Sequence, residues 1–209
     1  MTPLVFTLLS DGSSDRALIP VLRWLLLQST AREFSIQWAD LRSLRPAPKL
    51  LSERIRQALA LYPCDLLFIH RDAEGEEREV RVAEIRNHLA AAGRHQTAVC
   101  VVPVRMQEAW LLIDEAALRS AADNPRGRMP LEMPLLRKLE EVPDPKQLLW
   151  SLLSTASGLR SGRLRRFGPA PRIHRLADLI DDFSPLRQLP AFQALEEDLS
   201  RLLAERYWR

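Results

Sequence analysis

Acidic side chains recur in three short clusters. Asp11 and Asp15 lie in Ser10-Asp11-Gly12-Ser13-Ser14-Asp15, Asp72 and Glu74 in His70-Arg71-Asp72-Ala73-Glu74-Gly75, and Glu108 and Asp114 in Gln107-Glu108-Ala109-Trp110-Leu111-Leu112-Ile113-Asp114. The first two clusters each follow a short apolar run. Gathered carboxylates repel one another unless a cation neutralises them, and an all-oxygen set suits a hard divalent ion such as Mg²⁺ or Mn²⁺. Two such ions a few ångströms apart would stabilise both the attacking and the leaving oxygen of a phosphodiester. Asp11 and Asp15 can share one face of a loop–helix junction. Gly12 lets a backbone approach closely there, and the following helix offers N–H donors to a phosphate. In extended geometry residues i and i+2 point the same way, so Asp72 and Glu74 can face one ion or a pair. Glu108, just past a further strand, can reach the same rim.

Each cluster also has a plain structural reading. Asp11 suits an Asx-turn, and Asp15 and Glu108 suit the positive end of a helix. Asp72 and Glu74 can open a solvated acidic run that continues through Glu76, Glu77 and Glu79. His70 is either a contributor to the site or a structural strand-end residue. Asp114 lies deeper in its segment and reads as a capping or surface residue. Repetition at successive strand ends favours the chemical reading for the other carboxylates, whereas a strand-end histidine is more often structural.

A second signal is basic. From Lys146 to Ala177 the chain has no Asp or Glu, yet it carries Arg160, Arg163, Arg165, Arg166, Arg172 and Arg175, with Phe167 among them. Arginine forks suit phosphate backbones. The alternatives are a loop that balances Glu196, Glu197 and Asp198, or a surface for an acidic partner.

The positioning elements follow from periodicity. Leu4–Ser10, Phe34–Leu41, Asp65–Ile69 and Thr97–Val104 read as strands. Between and after them, Asp15–Gln28, Lys49–Leu61, Glu76–Ala92 (apolar stripe Val80, Ala83, Ile85, Leu89) and Glu108–Ala122 read as helices. This βα alternation predicts an α/β fold with a mostly parallel four-stranded sheet flanked by helices. In such sheets ligands bind outside the C-terminal strand ends. After residue 123 a proline-rich loop gives way to helical pattern only, at Pro145–Ser157, Arg172–Asp181 and Ala191–Arg206. The expected division is an α/β domain over 1–123 and a helical C-terminal extension with a basic loop over 124–209.

Composition sets outer limits. A chain of 209 residues with 46% hydrophobic and 27% charged residues can bury a core without disulfides, and its net charge of +3 permits a polyanion partner without demanding one. Cys64 and Cys100 lack CxxC spacing and read as buried thiols of a reducing compartment. The opening Met1–Phe6 reads as a strand rather than a signal peptide. No apolar run reaches the ~18–20 residues of a membrane span. The expectation is a cytoplasmic protein without a membrane partner.

These residues, in this order, resemble a known family. Asp11-Gly12-Ser13-Ser14-Asp15 is similar to the Glu-Gly-x-x-Asp/Glu motif of the TOPRIM fold of topoisomerases, primases and OLD-type nucleases, with Asp for Glu. Asp72-Ala73-Glu74 resembles its Asp-x-Asp, with Glu for the second Asp. Glu108-Ala109-Trp110-Leu111-Leu112, Asp144-Pro145-Lys146 and Pro190-Ala191-Phe192 resemble later elements of the small stand-alone TOPRIM-like proteins encoded beside ABC- or AAA-type ATPases. The resemblance covers nearly the whole chain. It implies a TOPRIM/Rossmann-like fold and Mg²⁺- or Mn²⁺-dependent cleavage of DNA or RNA in an anti-phage defence complex with a partner ATPase. It also implies Asp11, Asp72 and Glu74 as catalytic residues, with Asp15 and Glu108 as further metal ligands.

Two other functions compete. The substitutions at Asp11 and Glu74 leave open a non-catalytic scaffold that regulates an ATPase; the chain itself has no Gly-x-x-x-x-Gly-Lys-Ser/Thr phosphate loop. A phosphotransfer enzyme such as a phosphatase would need a lysine near a nucleophilic Asp, and none accompanies the first three strand tips.

Overall fold

In the computed structural model, which describes residues 2–93 and 97–208, four strands form one parallel sheet. They are β1 (Leu4–Leu9), β2 (Phe34–Trp38), β3 (Leu66–His70) and β4 (Ala98–Val101), in the spatial order β2-β1-β3-β4. Residues 1, 94–96 and 209, which the expected 1–123 and 124–209 division includes, lie outside the described residues.

Strand alternation sorts the core into two layers. Leu4, Phe6 and Leu8 of β1, Leu66 and Phe68 of β3, and Val99 and Val101 of β4 face one side. There they meet α1 (Leu18–Ser29) through Leu18, Val21, Leu22, Leu25 and Leu26. Leu9, Leu67, Ile69 and Cys100 face the other side, against α2 (Leu51–Leu61) and α3 (Arg78–Ala91).

The remaining helices are α4 (Glu115–Ala121), α5 (Pro145–Ala156), α6 (Ser161–Arg165), α7 (Arg172–Leu179) and α8 (Pro190–Glu205). Leu149, Leu153, Leu176, Phe192, Leu195 and Leu199 from α5, α7 and α8 join Phe6 and Phe68 in one buried cluster. The C-terminal helices therefore cover the α1 side of the sheet and share its core. Among the described residues no helix is long and apolar enough to cross a membrane, and Cys64 and Cys100 form no disulfide.

Several local expectations shift. The segment after β1 opens as a 3₁₀ helix at Ser14–Ala17 before α1 begins, because the Asp15 carboxylate accepts from Gly12 N–H and tightens the turn. The helix expected over Glu108–Ala122 is broken into a 3₁₀ helix at Gln107–Leu111 and α4. Asp114 makes the break: its side chain caps α4 by accepting from Ala117 N–H at 2.9 Å. In α3, Ile85 is buried and Leu89 packs against the core as expected, while Val80 and Ala83 are exposed and Val82 is buried instead.

Candidate functional site

The chain leaves β1 toward β2 on one side and returns to β3 on the other. The C-terminal ends of β1 and β3 therefore flank the topological switch, where open α/β sheets bind ligands. Asp15 reaches this crevice from the turn after β1. It is 7% exposed and held by three donors: Gly12 N–H at 2.7 Å on Oδ2, and Ser14 Oγ at 3.2 Å and Gln107 Nε2 at 3.1 Å on Oδ1. A Cβ at residue 12 would meet Asp15 at 3.5 Å, an ordinary contact, so the turn itself does not demand glycine.

His70 ends β3 on the same face as Leu66 and Phe68, at 2% exposure. Its Nδ1–H donates to the Val101 carbonyl at 3.0 Å, which turns Nε2 toward Asp72 Oδ1 at 3.5 Å and Asp15 Oδ2 at 3.9 Å. Asp72 follows two residues on, on the same side, with Oδ1 accepting from Gln107 N–H at 3.0 Å. Gln107 thus ties Asp15 and Asp72 together through its side chain and its backbone.

Glu108 stands beside it, 2% exposed, on the 3₁₀ helix that follows β4. Its Oε1 lies 4.0 Å from Lys146 Nζ. Lys146 sits in the first turn of α5, with Asp144 as N-cap accepting from Gln147 N–H at 2.8 Å and Pro145 at the first helical position. A cation at that end works against the helix dipole; the buried Glu108 carboxylate is what it answers.

Asp11 and Glu74 are not brought to this group. Strand alternation continues past β1 and β3, so Asp11 and Arg71 fall on the α2–α3 side. Asp11 there pairs with Arg71 Nε at 2.9 Å and with the Arg54 guanidinium of α2. Arg71 also reaches Glu84 at 3.3 Å. Glu74 has φ 55°, so extended geometry has ended before it and the i, i+2 rule no longer holds. Its side chain is 67% exposed, 3.4 Å from Arg81 Nη2. Gly75 completes the left-handed turn at φ 92°, where a Cβ would stand 2.6 Å from the Arg105 guanidinium.

Burial pushes the Asp72 carboxyl up to about 6, with Asp15 and Glu108 adding to the rise, while His70 and the Gln107 N–H oppose it. Burial also raises the Glu108 carboxyl, with Lys146 acting against the rise. Among the described residues no three His, Cys, Asp or Glu side chains already close on one metal position. The donor set nonetheless fits a divalent ion in kind. Three carboxylates and one imidazole share the crevice, and Asp15 and Glu108 add to the burial that raises the Asp72 carboxyl.

The six arginines divide in two. Arg160, Arg163, Arg165 and Arg166 are exposed on and around α6, which buries no side chain, and they form no ion pair among the described residues. Arg172 and Arg175 both pair with Asp123, Arg172 Nη2 at 2.7 Å. Arg172 also stacks on Phe167, 4.1 Å from the ring centre. These two have a structural task.

Sequence reasoning did not single out Gln107, and it noted Lys146 only as part of the Asp-Pro-Lys element. The signal for Lys146 was a lysine in a helix first turn directly after Asp-Pro. Gln107 carried none beyond its place next to Glu108. Comparisons with protein-family models, curated proteins and solved structures return no match for the chain.

Proposed function

We propose that the chain is a metal-dependent nuclease of TOPRIM type that cleaves phosphodiester bonds of DNA or RNA. In this reading it acts as the effector of an anti-phage defence complex with a partner ATPase. One observation carries the catalytic part. Asp15, Asp72 and Glu108 come from three separate segments to the β1–β3 switch and share it with His70 and Lys146. Such a concentration of carboxylates is costly to bury unless a cation joins it.

Asp15, Asp72 and Glu108 would hold Mg²⁺ or Mn²⁺. When bound, the ion supplies Lewis-acid polarisation of a phosphoryl oxygen and lowers the pKa of a bound water. Gln107 fixes the orientation of Asp15 and Asp72 before substrate arrives, so no reorganisation is needed at the moment of reaction. Lys146, half exposed at the mouth, can leave Glu108 for a phosphate oxygen. Arg160, Arg163, Arg165 and Arg166 would hold more distant phosphates. α5, with 12 residues, is about 18 Å long, and this group follows its C-terminal end while Lys146 sits in its first turn.

The test is cleavage of DNA and RNA substrates by purified protein with Mg²⁺ or Mn²⁺, reversed by EDTA. Asp72→Ala should abolish it; full cleavage by that variant overturns the proposal. A second reading, a non-catalytic scaffold, draws on the neutralisation of Asp11 by Arg54 and Arg71 and the outward turn of Glu74. Absence of cleavage with either metal, alone and with the ATPase, would favour it.

A further inference from the structure

We propose that His70 is itself a metal ligand through Nε2, which makes the crevice a mixed nitrogen–oxygen site that takes Mn²⁺ in preference to Mg²⁺. This rests on the metal-dependent reading above and adds to it a ligand of a different chemical kind.

The geometry begins with the hydrogen bond at the far side of the ring. A carbonyl oxygen only accepts, so the Nδ1 atom that lies 3.0 Å from Val101 O carries the proton. In the neutral ring this leaves the Nε2 lone pair pointing into the crevice, the arrangement by which backbone carbonyls orient metal-binding histidines. His70 is 2% exposed, so the ring cannot swing out to water.

What Nε2 faces is the second observation. Asp72 Oδ1 lies 3.5 Å away and Asp15 Oδ2 3.9 Å away, both longer than the ~2.7–2.9 Å of a charge-assisted N–H···O bond. Nε2 thus faces both carboxylates, which without an ion do not yet close with it on one metal position. Both carboxylates are already anchored from outside it: Asp15 Oδ2 by Gly12 N–H at 2.7 Å, Asp72 Oδ1 by Gln107 N–H at 3.0 Å. Neither needs the imidazole to hold its place. Ligands about 2.1–2.2 Å from one ion stand about 3.0–3.5 Å apart at ordinary coordination angles. The Asp72 spacing already meets this, and the Asp15 spacing is a fraction of an ångström wider.

The competing role is an imidazolium ion-paired to Asp15 and Asp72, with Glu108 close behind. In that case the histidine replaces a cation instead of binding one. The two roles differ in metal selectivity. Mg²⁺ prefers oxygen ligands and gives up its waters reluctantly, whereas imidazole favours the transition metals.

The experiment loads the full chain with Mn²⁺ alone and records pulsed EPR, alongside calorimetric titration with Mn²⁺ and with Mg²⁺. The expected spectrum shows nitrogen modulation from one imidazole. Histidine-selective ¹⁵N labelling of the wild-type chain should replace the ¹⁴N signal, which keeps the test valid without any variant. His70→Asn retains an amide donor for Val101 O but no Nε2. It should lose the modulation and weaken Mn²⁺ by at least about 10-fold, as loss of even an outer-sphere partner does, with a smaller effect on Mg²⁺. Mn²⁺ binding without nitrogen modulation, or modulation that persists in His70→Asn, overturns the proposal and leaves the metal-dependent reading standing. No Mn²⁺ binding to the wild type overturns both.

Discussion

Asp72 concentrates the electrostatic conflict of the crevice. Its carboxyl is pushed up to about 6, mainly by burial, from the ordinary carboxylate value near 3.8. A folded-state pKa raised above the unfolded one means that the folded state binds the proton more tightly. The associated stability is fully present below about pH 4 and is lost as pH rises through about 6. Two pH units correspond to roughly 3 kcal/mol as an upper bound. Metal-free Asp72→Asn, which keeps an acceptor for Gln107 N–H, should therefore gain about 1–3 kcal/mol at pH 7.5 and show a flatter dependence of Tm on pH between 4 and 7. Urea melts in EDTA measure this, and a destabilised Asp72→Asn would contradict the assignment. The place of Asp72 at a strand end was legible in the sequence because it lies just past a short apolar run. Glu74 was misplaced because the i, i+2 argument assumes a strand that stops at His70. Asp11 looked equivalent to Asp15 because its partners, Arg54 and Arg71, are distant in sequence.

At the scale of elements, the proposed nuclease reading divides contact with a polyanion between α5 and α6. α5 presents Lys146 to Glu108 at its start, and α6, beyond the end of α5, presents arginines without an ion pair among the described residues. Replacing Arg163, Arg165 and Arg166 together by Gln should weaken nucleic-acid binding and lower the salt dependence, the slope of log K against log[salt], by about 3. The cleavage rate at saturating substrate should hold, because this group lies at the far end of α5; a collapse of that rate would place α6 in the chemistry. Asp114→Ala removes the cap of α4 and should cost about 1 kcal/mol without changing metal affinity, as read by thermal melts and titration. Helix positions were legible from periodicity. The break at Asp114 was not, because a cap interrupts a pattern that is apolar on both sides of it, and α6 was hidden in a Gly- and Arg-rich stretch with no apolar stripe.

At the scale of the whole molecule, the α1 side of the sheet is covered by α1 together with the C-terminal helices. Phe192 of α8 packs edge-on against Trp110, 5.4 Å between ring centres, directly behind the Glu108 segment. Phe192→Ala should cost about 3–5 kcal/mol, measured by urea denaturation. A chain ending at residue 123 should fail to give a cooperative unfolding transition, since Phe6, Phe68 and Trp110 would lose their cover. The shift of pattern near residue 123 was visible in sequence. That both regions share one core was not, because contacts such as Trp110 with Phe192 leave no local trace. The most direct test of the proposed active centre is Mn²⁺-dependent cleavage of a labelled nucleic acid by the wild type, Asp15→Ala and Glu74→Ala. The expected result is a loss of about 10²–10³-fold in Asp15→Ala, the usual effect of removing one charge-stabilising group, with Glu74→Ala close to wild type. Cleavage that survives in Asp15→Ala and disappears in Glu74→Ala would contradict it.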